Sequence, residues 1–269
     1  MNDGVILVRK LLIIVLLVLF LIPVPALASA EVYRYEEMAG QLVSQWALAN
    51  ESVTISFQKS GTLDKNAAIE AVWAEMKNDP AIWANLKQPS FLFKDRGNGI
   101  YDMEAKTTFH HNKSALQSVD TFAKDWAAKN INDGMGEFEK VQAIYNFIGD
   151  NYKYSYTNQM IVNGYSKYSP LSLIHNGEGV CNAFGGLFIS LSKQVGIESI
   201  YIVSNAEADG SSHGWNLVKI DGNWYHIDPT WAVEDGESRE MFFLKGDSFV
   251  KQHRSWNYGN YPAAVGNYK

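Results

Sequence analysis

Three residues whose types could perform nucleophilic chemistry follow one another between residues 177 and 231. Cys181 is the only cysteine of the chain and stands in Gly-Glu-Gly-Val-Cys-Asn; His213 opens His-Gly-Trp-Asn, and Asp228 stands in His-Ile-Asp-Pro-Thr-Trp. A thiol, an imidazole and a carboxylate are the parts of a cysteine nucleophile, its base and the group that orients the base. We therefore predict Cys181, His213 and Asp228 as catalytic residues.

The position of the cysteine favours reactivity. The sequence predicts a helix from about Cys181 to Val195, entered through a turn at Gly177 and Gly179. The positive end of a helix favours thiolate over thiol, and its free N–H groups can stabilise the oxyanion formed when a thiolate attacks a carbonyl. The alternative is a small buried hydrophobic side chain, as free cysteines often are, and such a residue gains nothing from this position.

The turn Asp221-Gly222 decides whether the histidine and the aspartate can meet. It predicts a two-residue hairpin between antiparallel strands over 213–220 and 223–228. In that register His213 lies diagonal to Asp228 on one face, roughly 7–8 Å away at the backbone, so the carboxylate can accept the imidazole N–H. A three-residue turn would place the two side chains on opposite faces.

Other polar side chains receive structural interpretations. His226 has the strand parity of the predicted aspartate but lies deeper towards the turn, and we interpret it as packing or as support for the site. Asn216 points to the face opposite the predicted base. His110 and His111 are adjacent on a predicted strand and so face opposite sides, which makes a poor two-ligand metal site. We expect neither a metal nor another cofactor.

The first 28 residues predict a secretory signal peptide. Arg9 and Lys10 precede an apolar run over 11–22 and an Ala-x-Ala site, with cleavage after Ala28 or Ala30. The apolar run is shorter than the roughly 20 residues that span a bilayer, so we expect no stable membrane span after cleavage. An uncleaved anchor is the alternative. We predict a secreted or cell-envelope protein, in which an unpaired cysteine suggests a reactive thiol.

The rest of the chain reads as an α+β protein. Its 269 residues are 46% hydrophobic with a formal net charge of -6, and the absence of a basic cluster after the first ten residues argues against a nucleic-acid partner. Periodicity predicts a small α+β region over 31–130 and a catalytic domain over 131–269, which form either one compact unit or two lobes that meet near residue 131. The predicted elements of the first region are helices over 31–50, 64–77 and 116–129 and strands over 53–57, 90–94 and 99–109. An amphipathic helix over 137–150 opens the second.

The motifs around the three candidate residues resemble the transglutaminase-like superfamily. Its pattern is a Gly-Val-Cys helix start, a His-Ala-Trp-Asn strand and a Gly-x-Trp-Tyr-x-x-Asp-Pro-Thr-Trp strand, and this chain has all three in order over residues 179–231. The resemblance implies a papain-like α+β core, a cysteine helix packed on an antiparallel sheet, with Cys181, His213 and Asp228 as the triad.

This chain departs from the family pattern in small residues. Ala183 and Gly185 exchange the usual order of glycine and alanine, and Gly214 replaces the usual alanine. The family takes a second oxyanion donor from a side chain upstream of the cysteine, for which we predict Tyr154. The calcium sites of animal transglutaminases have no recognisable counterpart, which agrees with the expectation of no metal.

These expectations combine into an exported cysteine enzyme that acts on peptide or glutamine-type amides through a thioester. If water accepts the acyl group, the protein is a peptidase or amidase, which we favour. If a lysine amine accepts it, the protein is a cross-linking transglutaminase. A non-catalytic peptide-binding module of the same fold is a further alternative. The expected partners are protein or peptide substrates, with cell-envelope or wall peptides as candidates.

Overall fold

The computed structural model describes residues 34–76, 79–204, 212–234 and 236–269. The predicted signal peptide lies outside these residues, as does the start of the helix predicted over 31–50. Within the described ranges, none of the helices combines the length and the hydropathy needed to cross a membrane.

The first part of the chain has an α+β arrangement, as predicted. Its helices are α1 (Tyr35–Ala47), α2 (Lys65–Met76) and α3 (Pro80–Asn85), and its strands are β1 (Ser52–Gln58), β2 (Ser90–Gly97) and β3 (Ile100–Lys106). The second part has helices α4 (Lys113–Asn130), α5 (Glu137–Asn151), α6 (Pro170–Asn176), α7 (Cys181–Gln194), α8 (Glu237–Glu240) and α9 (Asp247–Val250). Its strands are β4 (Lys153–Tyr154), β5 (Ile161–Val162), β6 (Tyr165–Ser166), β7 (Glu178–Gly179), β8 (Ser199–Val203), β9 (Gly214–Ile220) and β10 (Asn223–Ile227).

An antiparallel sheet with the order β1-β3-β2 forms the centre of the first part. Exposure alternates along β1, which buries Val53, Ile55 and Phe57 and turns their neighbours to solvent. Helix α1 buries one stripe at helical spacing against the same core, made of Met38, Ala39, Leu42, Val43 and Trp46. The strand and the helix over most of its length were both predicted from these periodicities.

Helix α3 was not among the elements predicted from the sequence, which place no helix between 77 and 116. It begins at Pro80. Asp79 accepts a hydrogen bond from the Ile82 N–H at 3.1 Å, and proline suits a first helical position because the N–H that it lacks would be unpaired there. Asp79 and Pro80 therefore form the start signal of α3.

A second antiparallel sheet, with the order β10-β9-β8, carries the candidate site. Helix α7 packs on one face, where Val218 and Ile220 of β9 join its buried side chains. Trp215 and Leu217 of β9 point the other way and pack with residues after β10, including Trp256. Strand β9 is therefore buried on both sides, which fixes its register and orientation.

Helices α4 and α5 pack beside α7 in one hydrophobic cluster. Ala123 and Trp126 of α4 and Ile144 and Ile148 of α5 belong to the cluster that contains Leu187 of α7. Helix α4 precedes the predicted domain boundary at residue 131 and nevertheless contributes to the core of the cysteine helix. The boundary itself stays a prediction.

Gly149 gives a test of how closely α5 fits its neighbours. A Cβ at this position would lie 2.1 Å from the carbonyl oxygen of Ala232 and 2.8 Å from Nη2 of Arg239. We expect Gly149→Ala to destabilise the protein by about 1–3 kcal/mol, because the backbone of α5 would have to move away, and to lower the melting temperature accordingly.

Gly40→Ala in α1 is the matched control. A Cβ there would meet nothing within 4 Å, so this change is expected to stabilise the protein by about 0.5–1 kcal/mol through helix propensity alone. Thermal unfolding of the two variants should therefore move in opposite directions. Equal shifts would contradict the close packing of α5.

Candidate active site

Cys181 is the first residue of α7 and is 9% exposed. The preceding strand β7 pairs in parallel with β4, which places Gly179 opposite Tyr154. The sequence predicted a turn at Gly179, but this residue lies in strand β7. A Cβ there would lie 2.7 Å from Cβ of Ala183, so glycine is needed for the strand to pass this close to α7. The entry into α7 is tight, and it holds the sulfur at the positive end of the helix.

The hairpin between β9 and β10 has the predicted two-residue turn. Asp221 and Gly222 have φ angles of 49° and 79°, and Asn223 pairs with Ile220. Both central residues of a type I′ turn require positive φ, which explains the preference for Asp-Gly. The predicted register is confirmed.

This register brings the predicted base and the predicted orienting carboxylate together. Nε2 of His213 lies 2.7 Å from Oδ2 of Asp228, and the second carboxylate oxygen accepts the N–H of Thr230 at 3.0 Å. The Asp228 side chain is 1% exposed and that of His213 is 28% exposed. Because Nε2 faces the carboxylate, Nδ1 is the ring nitrogen left for Cys181.

The three groups shift one another's pKa values. Burial alone would raise the pKa of Asp228, but His213 and then Arg254 outweigh it and lower that pKa to about 2. Burial alone would lower the pKa of His213, but the Asp228 charge and its hydrogen bond raise it to about 9. Asp228 is therefore ionised and His213 protonated at neutral pH.

The thiol responds to the charged histidine. Burial acts to raise the pKa of Cys181, whereas the hydrogen bond and charge of His213, followed by the N–H of Gly214, bring it below its usual value. A thiolate beside an imidazolium is the form of a cysteine that attacks electrophilic carbon. The structure thus brings the three predicted residues together in an arrangement suited to nucleophilic chemistry.

Tyr154, the predicted oxyanion donor, lies near the sulfur. Its ring is half-buried, and burial followed by the negative charge of Cys181 raises the pKa of its phenol. The Tyr154 hydroxyl is therefore neutral, and it can act near the nucleophile as an uncharged hydrogen-bond donor or acceptor. Its assignment to the oxyanion stays a prediction.

His226 supports the site through Trp215, the residue that stacks on His213. Its Nδ1 accepts the indole N–H of Trp215 at 2.9 Å, and its Nε2 lies 2.9 Å from Oδ1 of Asp247, to which it donates. Trp215 in turn stacks on His213, with ring centroids 6.1 Å apart and planes 14° apart. This agrees with the interpretation of His226 as support; Asp247, its partner, was missed because 21 residues separate them.

The prediction that His110 and His111 lie on a strand is wrong, because β3 ends at Lys106.

The remaining interpreted residues make contacts outside the triad. Asn216 is buried and donates from Nδ2 to the carbonyl of Gly185 at 3.3 Å, which ties β9 to α7. His111 accepts a 3.5 Å hydrogen bond from the Ser166 N–H and packs against the ring of Tyr165. Among the described residues, no group of three or more His, Cys, Asp or Glu side chains could hold a metal ion.

Sequence reasoning missed Arg254. Its Nη1 lies 2.6 Å from Oδ2 of Asp228, and its side chain is 11% exposed. No periodic pattern connects a residue after α9 with the end of β10, so only the tertiary fold brings the two charges together.

Sequence reasoning also missed Tyr201. The glycines at positions 185 and 214, which are needed to accommodate its ring, were the available signal. The Tyr201 ring is 2% exposed and fills the space beside Gly185 and Gly214, where added Cβ atoms would lie 2.4 Å from Cε2 and 1.9 Å from Oη. Burial, followed by the charges of Cys181 and Asp228, raises the pKa of Tyr201 well above its usual value. The small residues that depart from the family pattern thus make room for a neutral phenol beside the sulfur.

Residues 124–229 match the family model of the transglutaminase-like superfamily. Over this segment, which is less than half of the chain, the protein is similar to the transglutaminase-like superfamily. The matched segment contains Cys181, His213 and Asp228, and the resemblance predicted from their motifs is confirmed, as is the α+β fold with antiparallel sheets.

Two proteins that are similar in sequence to part of this chain are both named kyphoscoliosis peptidase. The kyphoscoliosis peptidase of Mus musculus is 19% identical over 135 residues, which are 46% of this chain and 20% of the relative. The kyphoscoliosis peptidase of Homo sapiens is 19% identical over 159 residues, 51% of this chain and 24% of the relative. The chain thus spans a quarter or less of these relatives.

Two solved structures match the chain at low similarity. A candidate cysteine protease from Cytophaga hutchinsonii is 15% identical, with 67% of this chain and 72% of that chain covered and a TM-score of 0.34. A structure described as a TGase is 18% identical, with 67% and 51% covered and a TM-score of 0.33.

The charge arrangement predicts how Cys181 reacts with iodoacetamide. We expect alkylation to begin at a lower pH than for a free thiol, because the imidazolium of His213, which persists up to its pKa of about 9, stabilises the thiolate. In His213→Ala the rate should rise only around pH 8.5, the value of a free thiol. Mass spectrometry of the labelled protein across pH 4–9 measures both profiles.

Asp228→Asn separates the charge from the hydrogen bond. The amide can still meet the imidazole but cannot stabilise its positive charge, so we expect the onset of alkylation to move to higher pH. Circular dichroism checks that the variants are folded. Identical profiles in wild type, His213→Ala and Asp228→Asn would contradict the interaction between these groups.

The contact between Gly214 and Tyr201 predicts coupled substitutions. Gly214→Ala places a Cβ 1.9 Å from the Tyr201 hydroxyl oxygen, and we expect a loss of stability of about 1–3 kcal/mol. Tyr201→Val removes the ring and leaves a cavity, but the double variant should be more stable than the sum of the single changes by about 1 kcal/mol or more. Urea unfolding of the four proteins measures this coupling, and additive effects would contradict the contact.

Proposed function

We propose that the protein is an exported cysteine enzyme that forms a thioester with the acyl group of a peptide or glutamine-type amide and releases it to water. The observation that carries this proposal is the 2.7 Å contact between His213 and Asp228 beside a cysteine at the start of a helix. A buried carboxylate that holds a protonated imidazole supports a thiolate at neutral pH.

In the acylation step, Sγ of Cys181 attacks the amide carbonyl carbon and the carbonyl oxygen takes the negative charge. The backbone N–H groups of Cys181 and Asn182, the first two residues of α7, are the proposed backbone donors to this oxyanion, because those of Ala183 and Phe184 donate to the carbonyl of Val180. Tyr154 is the proposed side-chain donor. The C–N bond then breaks, and Nδ1 of His213 gives its proton to the departing amine or ammonia. Asp228 holds the ring in position during the transfer.

In the deacylation step, the neutral imidazole of His213 takes a proton from water as the oxygen attacks the thioester carbon. The C–S bond breaks, the acid product leaves and the thiolate–imidazolium pair returns. Water is the proposed acceptor because the His213 side chain is 28% exposed, which gives solvent access to the base. A lysine amine would follow the same steps, with the amine nitrogen in place of the water oxygen.

The proposed substrates are proteins or peptides of the cell envelope or of the extracellular space. The motif of a signal peptide in residues 1–28 supports this location. The name of the two mammalian relatives, peptidase, agrees with action on a peptide bond, although their match is 19% identical.

Products in ¹⁸O-labelled water identify the acceptor. The purified protein is incubated with a library of glutamine-containing peptides and with an equal amount of a primary amine, and the products are read by mass spectrometry. We expect ¹⁸O in new C-terminal carboxylates or in glutamate formed from glutamine, because water resolves the thioester. Amine adducts in place of ¹⁸O would establish the transglutaminase alternative.

Cys181→Ala is the control for these products. It should abolish them, because it removes the thiol that forms the proposed acyl-enzyme. Wild-type protein that binds peptides with neither ¹⁸O incorporation nor amine adducts, and Cys181→Ala that binds them equally well, would overturn the proposal in favour of a binding module.

A further inference from the structure

Arg254 contacts the same carboxylate oxygen as the candidate base. Its Nη1 lies 2.6 Å from Oδ2 of Asp228, and this oxygen is also 2.7 Å from Nε2 of His213. The other oxygen, Oδ1, is used by the N–H of Thr230. Two cations therefore compete for one oxygen of a carboxylate that is 1% exposed.

The position of the guanidinium is fixed by its surroundings. It lies over the ring of Phe242 at 4.2 Å and over that of Trp215 at 5.1 Å. Its backbone N–H donates to the carbonyl of Val250 at 2.9 Å, in the turn that follows α9. Aromatic faces stabilise a cation, and arginine keeps its charge in such a site.

We propose that Arg254 is a positioning residue of the site, which shares the Asp228 carboxylate with His213 and limits how tightly that carboxylate holds the imidazolium. The consequence for amide cleavage rests on the function proposed above; the competition for the carboxylate does not. Neither the family pattern nor the motifs around the triad include this residue.

The physical reason is a balance between two requirements of the base. A strong interaction with Asp228 favours the imidazolium that stabilises the thiolate, but it also makes the imidazolium a weaker acid towards the leaving amine. A second positive charge on the same oxygen reduces that interaction. Consistent with this, Arg254 acts to lower the pKa of His213 against the larger effect of Asp228, which raises it.

Within the described part of the chain, three side chains around His213 affect its charge, and Arg254 is the cation among them. Cys181 faces the ring from α7, Asp228 from the end of β10 and Arg254 from beyond α9. Tyr154 and Tyr201, which have raised pKa values through burial and the nearby negative charges, stay neutral over the range in which His213 titrates.

Titration of His213 in Arg254→Met tests the proposal. Loss of the guanidinium leaves the carboxylate to the imidazole, so we expect the His213 pKa to rise by about one unit. Nuclear magnetic resonance of ring-labelled histidine measures it directly, and the high-pH step of iodoacetamide alkylation measures it independently. Arg254→Lys keeps the charge and should titrate close to wild type.

Two further variants keep the test decisive. Arg254→Gln removes the charge but keeps a polar side chain, and should give the same upward shift if Arg254→Met does not fold. Arg96→Met is the matched control, because Arg96 makes a 2.6 Å contact with the 6%-exposed Asp102 in the first part of the chain. It should not change the titration of His213. An unchanged or lowered His213 pKa in both uncharged Arg254 variants would overturn the proposal.

The choice of leaving group separates this proposal from the proposed function. We expect Arg254→Met to slow kcat on amide substrates about tenfold more than on matched esters, because an ester leaving group needs less help from the acid. Equal losses on both would overturn the role in leaving-group protonation. If wild type hydrolyses neither, the proposed function fails, and the titration of His213 still decides whether Arg254 shares the carboxylate.

Discussion

The buried carboxylate of Asp228 is the interaction on which the rest of this structure depends. A charge in a protein interior destabilises the fold unless partners compensate for it, and here two cations and a backbone N–H do so. The partners come from different parts of the chain: His213 from the start of β9 and Arg254 from beyond α9. The hairpin, the aromatic cluster around Trp215 and the C-terminal segment must all be in place before this carboxylate is satisfied.

Local sequence determined much of the fold and of the site. The alternation of β1, the helical stripe of α7 and the Asp-Gly turn each needs only neighbouring residues, and each was predicted from them. The register of the hairpin followed from the turn, and the contact between His213 and Asp228 followed from the register. Contacts between residues that are close in sequence, or that one hairpin brings together, can be predicted from the sequence in this way.

The contacts that were missed join parts of the chain that no local pattern relates. Arg254 reaches Asp228, and Asp247 reaches His226, only because the segment after β10 folds back over the sheet. Notably, the family match ends at residue 229, before both. A fragment limited to the matched core would contain the whole triad and yet leave Asp228 with a single cationic partner, so the triad is not a self-contained module of this protein.

Tyr201 connects the site to variation in sequence. Its ring occupies the volume that the usual alanine at position 214 would need, and it also lies against Gly185 on the cysteine helix. In this chain an alanine at position 214 would therefore require a smaller or differently placed side chain at position 201. Covariation of these positions across an alignment would mark two ways of filling the space behind the sulfur, in which a change at one position loses stability that a change at the other restores.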